Sequence, residues 1–172
     1  AKKENISLLI PGDVFSATTH ISIFQEAKIN KIQVEVINNA SILTAIGITG
    51  LELYKLGRVA SIPFVNKNIK TPIQILKQNQ KFNLHTLFLL DLNNQDKKYL
   101  TIKEAIEFLL RNKVKKETMA VGCARIGCRD YKIKSGTLEE LKKINYGKPP
   151  YCLIIPAKKL HFVEEEMLQM WK

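Results

Sequence analysis

Leu9-Ile10-Pro11-Gly12-Asp13-Val14-Phe15-Ser16-Ala17-Thr18-Thr19-His20, LIPGDVFSATTH, joins the end of an apolar run to a Pro-Gly turn, an acid and a row of hydroxyls closed by a histidine. Residues 6–10 read as a short buried strand stopped by the Pro-Gly pair, and residues 18–28 as a helix with Ile21, Phe24 and Ile29 near one face. Strand, turn and helix in that order are the unit of an α/β fold. Asp13 would then stand where a sheet opens at a strand end. Two readings of it are open: a cap for the helix that follows, or an acceptor for ribose hydroxyls or the ammonium of an amino-acid-like ligand. A phosphate is disfavoured, because the turn lacks GxGxxG and GxxxxGK(S/T) and a central acid repels an anion.

The same alternation continues along the chain. Residues 32–37, IQVEVI, read as a strand; Ser41 caps a helix expected through Leu56 despite Gly47 and Gly50. Residues 59–65 form a strand interrupted by Pro63, which marks an edge or an ending. Thr71-Pro72 starts a helix to about Phe82, LHTLFLL at 84–90 is the strongest strand, and residues 91–96 are its loop. Thr101 with Glu104 and Thr137 with Glu140 are capping boxes. Strands are expected at 119–124, 131–134 and 151–155, and a terminal helix at 163–171. The fold class expected is α/β with mixed sheets in two lobes: residues 1–66 as the remainder of an N-terminal lobe and 67–172 as a C-terminal lobe. Open α/β sheets take ligands beyond the carboxyl ends of their strands, so the loops after Ile10, Ile37 and Leu90 are the first candidates.

Composition bounds the function. With 172 residues and 45% hydrophobic content, the chain can bury a core without disulfides or metal. No run approaches the roughly eighteen apolar residues of a membrane span, and the start AKKE lacks a secretory signal, so a soluble, cytoplasmic protein is expected. The three cysteines offer neither a disulfide framework nor a zinc set, and no metal is expected. The net charge of +11 fits an acidic protein, an anionic small molecule or a nucleic acid. Direct nucleic-acid binding is not expected, because the lysines are scattered and no aromatic and basic residues interleave on one strand.

LIPGDVFSATTH, NNASILTAIGITGLELYKLGR from Asn38, LHTLFLLDL from Leu84, VGCARIG from Val121 and YGKPPYCLIIPAKKLHFVEEEML from Tyr146 together resemble the diphthine synthases. These belong to the tetrapyrrole-methylase-like class of S-adenosylmethionine-dependent methyltransferases. The resemblance runs over nearly the whole chain in order, and Asn39-Ala40-Ser41-Ile42 is similar to the eukaryotic form, the diphthine methyl ester synthases. It implies a two-lobed tetrapyrrole-methylase-like fold with S-adenosyl-L-methionine in the inter-lobe cleft and S-adenosyl-L-homocysteine as product. Matched motif by motif, the donor-binding positions it implies are Asp13, Ser16, Ser41, Ile42, Leu90, Ile126 and Tyr151. Ser16 and Tyr151 depart from the glycine and histidine common there. Ser41 also has an ordinary reading as a helix cap, and Leu90, Ile126 and Ile42 as core.

The function implied is repeated methylation of the amino-carboxypropyl group on a histidine of translation elongation factor 2, in diphthamide biosynthesis. Partners expected are that factor and a second copy of the chain, as a homodimer. Methyl transfer to an amine can rest on positioning, so no catalytic base is assigned; His20 is a candidate, His161 could lie near the substrate opening, and His85 reads as core. The rivals are a tetrapyrrole-precursor methyltransferase and a non-catalytic basic module that binds RNA. The family carries an upstream strand, a glycine-containing turn and helices before the PGD strand. The chain therefore reads as lacking its N-terminal segment, and is expected to be inactive alone.

Overall fold

In the computed structural model, which describes residues 3–172, the most continuous apolar runs become one five-stranded sheet. Its strands are β1 (Ala60–Ile62), β2 (Thr86–Leu90), β5 (Met119–Ala124), β6 (Lys132–Thr137) and β7 (Tyr151–Ile155), in the order β1-β2-β7-β5-β6. A separate hairpin pairs β3 (Leu92–Asn93) with β4 (Lys98–Tyr99). β1 and β2 are parallel, while β7 is antiparallel to both its neighbours and β6 to β5. The carboxyl ends of β1, β2 and β5 therefore share one end of the sheet with the amino ends of β6 and β7.

The central strands are covered on both faces, which is why they read as unbroken apolar runs rather than alternating ones. Leu87, Phe88, Leu153 and Ile154 are wholly buried. Helices α3 (Thr71–Lys81), α4 (Ile102–Arg111) and α5 (Leu138–Leu141) put Ile73, Leu76, Ile106, Phe108, Leu138 and Leu141 into the same core. Burial of Phe108 alone contributes about 1.5–3 kcal/mol. Both expected capping boxes are present, Thr101 with Glu104 on α4 and Thr137 with Glu140 on α5. The edge strand β1 ends at Ile62, just before Pro63. The other edge, β6, carries Lys132 and Lys134 and is partly covered where Ser135 N–H donates to Trp171 O, 2.9 Å, after helix α6 (Phe162–Met170).

The chain divides into two compact units, one up to Ala45 and one from Ile46 to Lys172. Residues 46–66 belong to the second of these units, where β1 pairs with β2. In the first unit α1 (Ile21–Ile29) buries no residue, and α2 is the short turn Ile42–Ala45. The strands expected at 6–10 and 32–37 are not formed. A strand is a pairing, and neither segment has a ladder partner among the described residues. The long helix expected from Ser41 to Leu56 is broken into α2 and two 3-10 turns, Ile46–Thr49 and Leu53–Lys55. Gly50 breaks it with φ +86°, and a Cβ there would lie 2.3 Å from Cβ of Met167. Gly50 thus serves packing against α6 within the chain.

Candidate functional site

Three of the residues singled out in the sequence meet at one end of the second unit's sheet. Leu90 closes β2 opposite Ile62 of β1, and Tyr151 opens β7 opposite Ala124 of β5. The β2–β7 register pairs Leu89 with Cys152, so Leu90 and Tyr151 are the next positions toward that end. Ile126 follows β5 by two residues, half-buried, in a turn where Arg125 adopts φ +56°. Arg125 N–H donates to Pro150 O at 2.9 Å, which ties this turn to the residue before Tyr151. The Tyr151 hydroxyl donates to Gly147 O, and burial raises the phenol above its usual pKa. After β2, Asp91 accepts from Phe64 N–H at 3.2 Å and Leu92 N–H at 3.0 Å, pinning the loop beyond Leu90.

The first unit is organised around Asp13. Its Oδ1 accepts from Ser16 Oγ at 2.8 Å and Phe15 N–H at 3.0 Å, closing the turn upon itself. These bonds, Ser16's first, hold the carboxyl below its ordinary pKa. Gly12, at φ +82°, comes so close to the following segment that a Cβ would stand 3.5 Å from Ala40 O. The turn therefore backs onto the residues that lead into Ser41 and Ile42. Ser41 Oγ accepts from Leu43 N–H at 3.1 Å, the geometry of a cap. Asp13 does not cap α1; the N-cap there is His20, without a side-chain bond to the helix.

Comparison with known proteins decides what this arrangement belongs to. The family model described as Tetrapyrrole (Corrin/Porphyrin) Methylases matches residues 1–142. A diphthine synthase of Methanocaldococcus jannaschii is 41% identical over 98% of this chain and 70% of its own length. The chain belongs to the diphthine synthases, within the tetrapyrrole methylase family. A protein of Arabidopsis thaliana named "probable diphthine methyl ester synthase" is 35% identical over 98% of this chain and 69% of its own. A solved diphthine synthase superimposes with a TM-score of 0.85 at 38% identity, covering 93% of this chain and 62% of that one. The chain thus spans about two thirds of the length of these relatives. As a diphthine synthase it is an S-adenosylmethionine-dependent methyltransferase of diphthamide biosynthesis.

The histidines of this diphthine synthase have separate settings. His20 Nδ1 lies 2.8 Å from Thr18 Oγ1 and 3.2 Å from Val14 O, so the ring clasps its own loop. His161 is the N-cap of α6, in a capping box with Glu164. His85 is buried, as its reading as core requires, but the sequence reading did not foresee its partners: it is part of an ionic cluster. Glu164, wholly buried, takes His85 Nε2 at 2.8 Å, Glu52 N–H at 2.9 Å, His161 N–H at 2.8 Å and the ammonium of Lys55. His85 Nδ1 accepts from Ala157 N–H at 2.9 Å. His85 precedes β2 and Ala157 follows β7, which puts the cluster at the opposite end of the sheet from Leu90 and Tyr151. Its role is to lock α6 onto the sheet. The spacing His161 to Glu164 was the available signal.

No described helix is long and apolar enough to cross a membrane.

Proposed function

We propose that Asp13, Ser16, Ser41 and Ile42 of the first unit and Leu90, Ile126 and Tyr151 of the second hold S-adenosyl-L-methionine, and that the acceptor is the modified histidine of translation elongation factor 2, methylated repeatedly in the cytoplasm. The observation that carries this reading is the meeting of Leu90, Ile126 and Tyr151 at one sheet end, brought from three strands distant in sequence. Their chemistry fits the donor. Two aliphatic side chains and an aromatic ring suit an adenine, and an ionised carboxylate beside a hydroxyl suits ribose or ammonium groups. When bound, the sulfonium supplies an activated methyl group. Asp13 stays ionised because Ser16 and Phe15 hold it so, and remains an acceptor across the neutral range. Ser16 and Phe15 also fix its orientation before any ligand arrives. The loops after β2 and β5 are each tied by backbone bonds, the preorganisation that in-line transfer needs. His20 anchors its turn and takes no proton in this scheme.

The test is transfer of labelled methyl to unmethylated elongation factor 2 by the whole protein, with S-adenosylhomocysteine affinity measured by calorimetry. Asp13→Ala is expected to weaken that affinity roughly tenfold, the scale of a lost hydrogen bond to a charged group. Unchanged affinity would take Asp13 out of the site, and absence of transfer by the wild type would overturn the reading.

We also propose a homodimer. Its support is the apolar surface of residues 46–55, where Ile48, Leu53 and the fully exposed Tyr54 face outward. Light scattering of the whole protein at micromolar concentration should give twice the chain mass; a monomer mass removes the proposal.

A further inference from the structure

Beyond β5 lies an open hollow of about 420 Å³ lined by Arg125, Asp130, Lys132, Tyr146 and Lys148, with Asn145 and Gly147 completing the rim. Three cations face one acid there. Asp130 Oδ1 accepts from Arg125 Nε at 2.8 Å, and Lys148 lies close enough to add to the field that keeps the carboxyl ionised. Arg125 spends one more donor on Pro149 O at 3.2 Å, and Lys132 donates to Asn145 O. A guanidinium has five N–H donors. Among the described residues, Nη2 of Arg125 has no partner.

Arg125 is also held at φ +56°, a left-handed conformation uncommon for a side chain of its kind, by its backbone bond to Pro150. Such strained residues persist where the surroundings over-determine them, and they cluster at ligand clamps. The hollow is contiguous with the proposed donor residues. Ile126 is the next residue after Arg125, and the hydroxyl of Tyr151 bonds the carbonyl of Gly147 on the rim.

We infer that this hollow receives the carboxylate of the acceptor: Arg125, with Lys132 and Lys148, binds the carboxylate-bearing side chain that is to be methylated and sets it beside the donor. The inference rests on the function proposed above and adds the residues that recognise the substrate. Arginine suits the task because its planar fork matches a carboxylate with two parallel bonds, where lysine offers a point charge. The wall formed by Tyr146 fits the alkyl stem that carries such a carboxylate. Asp130 keeps the guanidinium oriented and limits entry to ligands whose charge outcompetes its own.

The experiment compares Arg125→Gln, Arg125→Lys and Lys148→Gln with wild type in the whole protein, using unmethylated elongation factor 2 as acceptor. Arg125→Gln should raise KM for the acceptor about tenfold or more and Lys148→Gln about threefold, with S-adenosylhomocysteine affinity within about twofold of wild type. Arg125→Lys should recover part of the loss. Thermal unfolding of each variant tests folding, and Lys148, being exposed, supplies a substitution that the fold tolerates. An unchanged acceptor KM in both neutral variants overturns the inference. So does a parallel fall in S-adenosylhomocysteine affinity, which would make the hollow part of the donor site. A wild type that binds S-adenosylhomocysteine but transfers nothing to this acceptor would instead strike the proposed function itself.

Discussion

Glu164→Leu is expected to lower the unfolding free energy by about 3–5 kcal/mol, the cost of removing one partner from a buried charge cluster. The carboxylate accepts from Lys55, His85 and two backbone N–H groups, and its side chain is almost wholly withdrawn from water. Leucine fills the volume but leaves an imidazole N–H and two amides without partners, and leaves the Lys55 ammonium with only Lys159 O at 3.3 Å and Glu52 at 3.8 Å. The carboxylate's own bonds dominate the loss, because leucine offers the partly buried amides and the ammonium no acceptor in its place. Chemical denaturation measures it. A loss below about 1 kcal/mol would mean that water enters the cluster and replaces the carboxylate. Lys55→Met added to Glu164→Leu should recover part of the stability, since removing both charges is milder than stranding one.

The same cluster makes stability fall in acid. Burial raises the Glu164 pKa, but the bonds from Lys55 and the amides outweigh it and bring the value to about 2, from an ordinary 4.5. The unfolded chain then binds the proton more readily than the fold, so this contribution is complete above pH 4.5 and is lost as pH falls toward about 2. His85 acts with the same sign and earlier. Burial lowers its pKa from 6.5 despite Glu164, and protonating Nδ1 would set an N–H against the Ala157 N–H that it now accepts. Its contribution therefore begins to fall below about pH 6.5. Glu164→Gln should flatten the part of the stability curve below pH 4.5 while keeping the fold.

What the sequence made legible follows from where each signal is physically stored. Strands β2, β5 and β7 were readable because strands buried on both faces must be apolar throughout, and Leu87 to Leu90 and Cys152 to Ile155 are. α4 was readable because a Thr101–Glu104 box satisfies two amides by local chemistry alone. The β3–β4 hairpin escaped notice, since strands of two residues are too short to show a period and this pair is accompanied by Tyr99 Oη bonding Asn94 and Asn93 bonding Asp96. Residues 41–56 have the spacing of one helix, but spacing says nothing of the packing of Met167 against Gly50, where a Cβ would stand 2.3 Å from Met167 Cβ, or of the left-handed turn there.

The candidate site was legible in its members more than in its assembly. Asp13 with Ser16 is a local turn, visible from a three-residue separation. The meeting of Leu90, Ile126 and Tyr151 depends on β7 inserting between β2 and β5, a matter of topology for which no spacing in the chain provides a rule. Motif resemblance, not periodicity, nominated those three. Arg125 was passed over because within VGCARIG it is a lone basic residue; its partners Asp130 and Pro149 come from a turn and from the lead-in to another strand.

The second large effect is expected at the contact between Gly122 and Tyr146. Gly122 lies inside β5, flanked by Lys134 of β6 and Leu153 of β7, so its backbone cannot retreat without breaking both ladders. A Cβ at this position would stand 2.2 Å from the Tyr146 hydroxyl oxygen and 2.5 Å from Cζ. The ring is packed into the main core and has little room to swing aside. Gly122→Ala should therefore destabilise by about 3 kcal/mol, the upper range for overpacking. Tyr146→Phe should go the other way. Its hydroxyl is buried with no hydrogen-bond partner among the described residues, and burial holds the phenol well above its usual pKa. Removing an unpaired buried hydroxyl is expected to gain about 1 kcal/mol, whereas a satisfied one would cost a similar amount. The sign of that single substitution, read from thermal or denaturant unfolding, decides the matter: a loss would mean that the hydroxyl finds a partner in solution. In the double variant Phe removes the 2.2 Å contact but leaves the ring carbon 2.5 Å away, so only part of the Gly122→Ala loss should return.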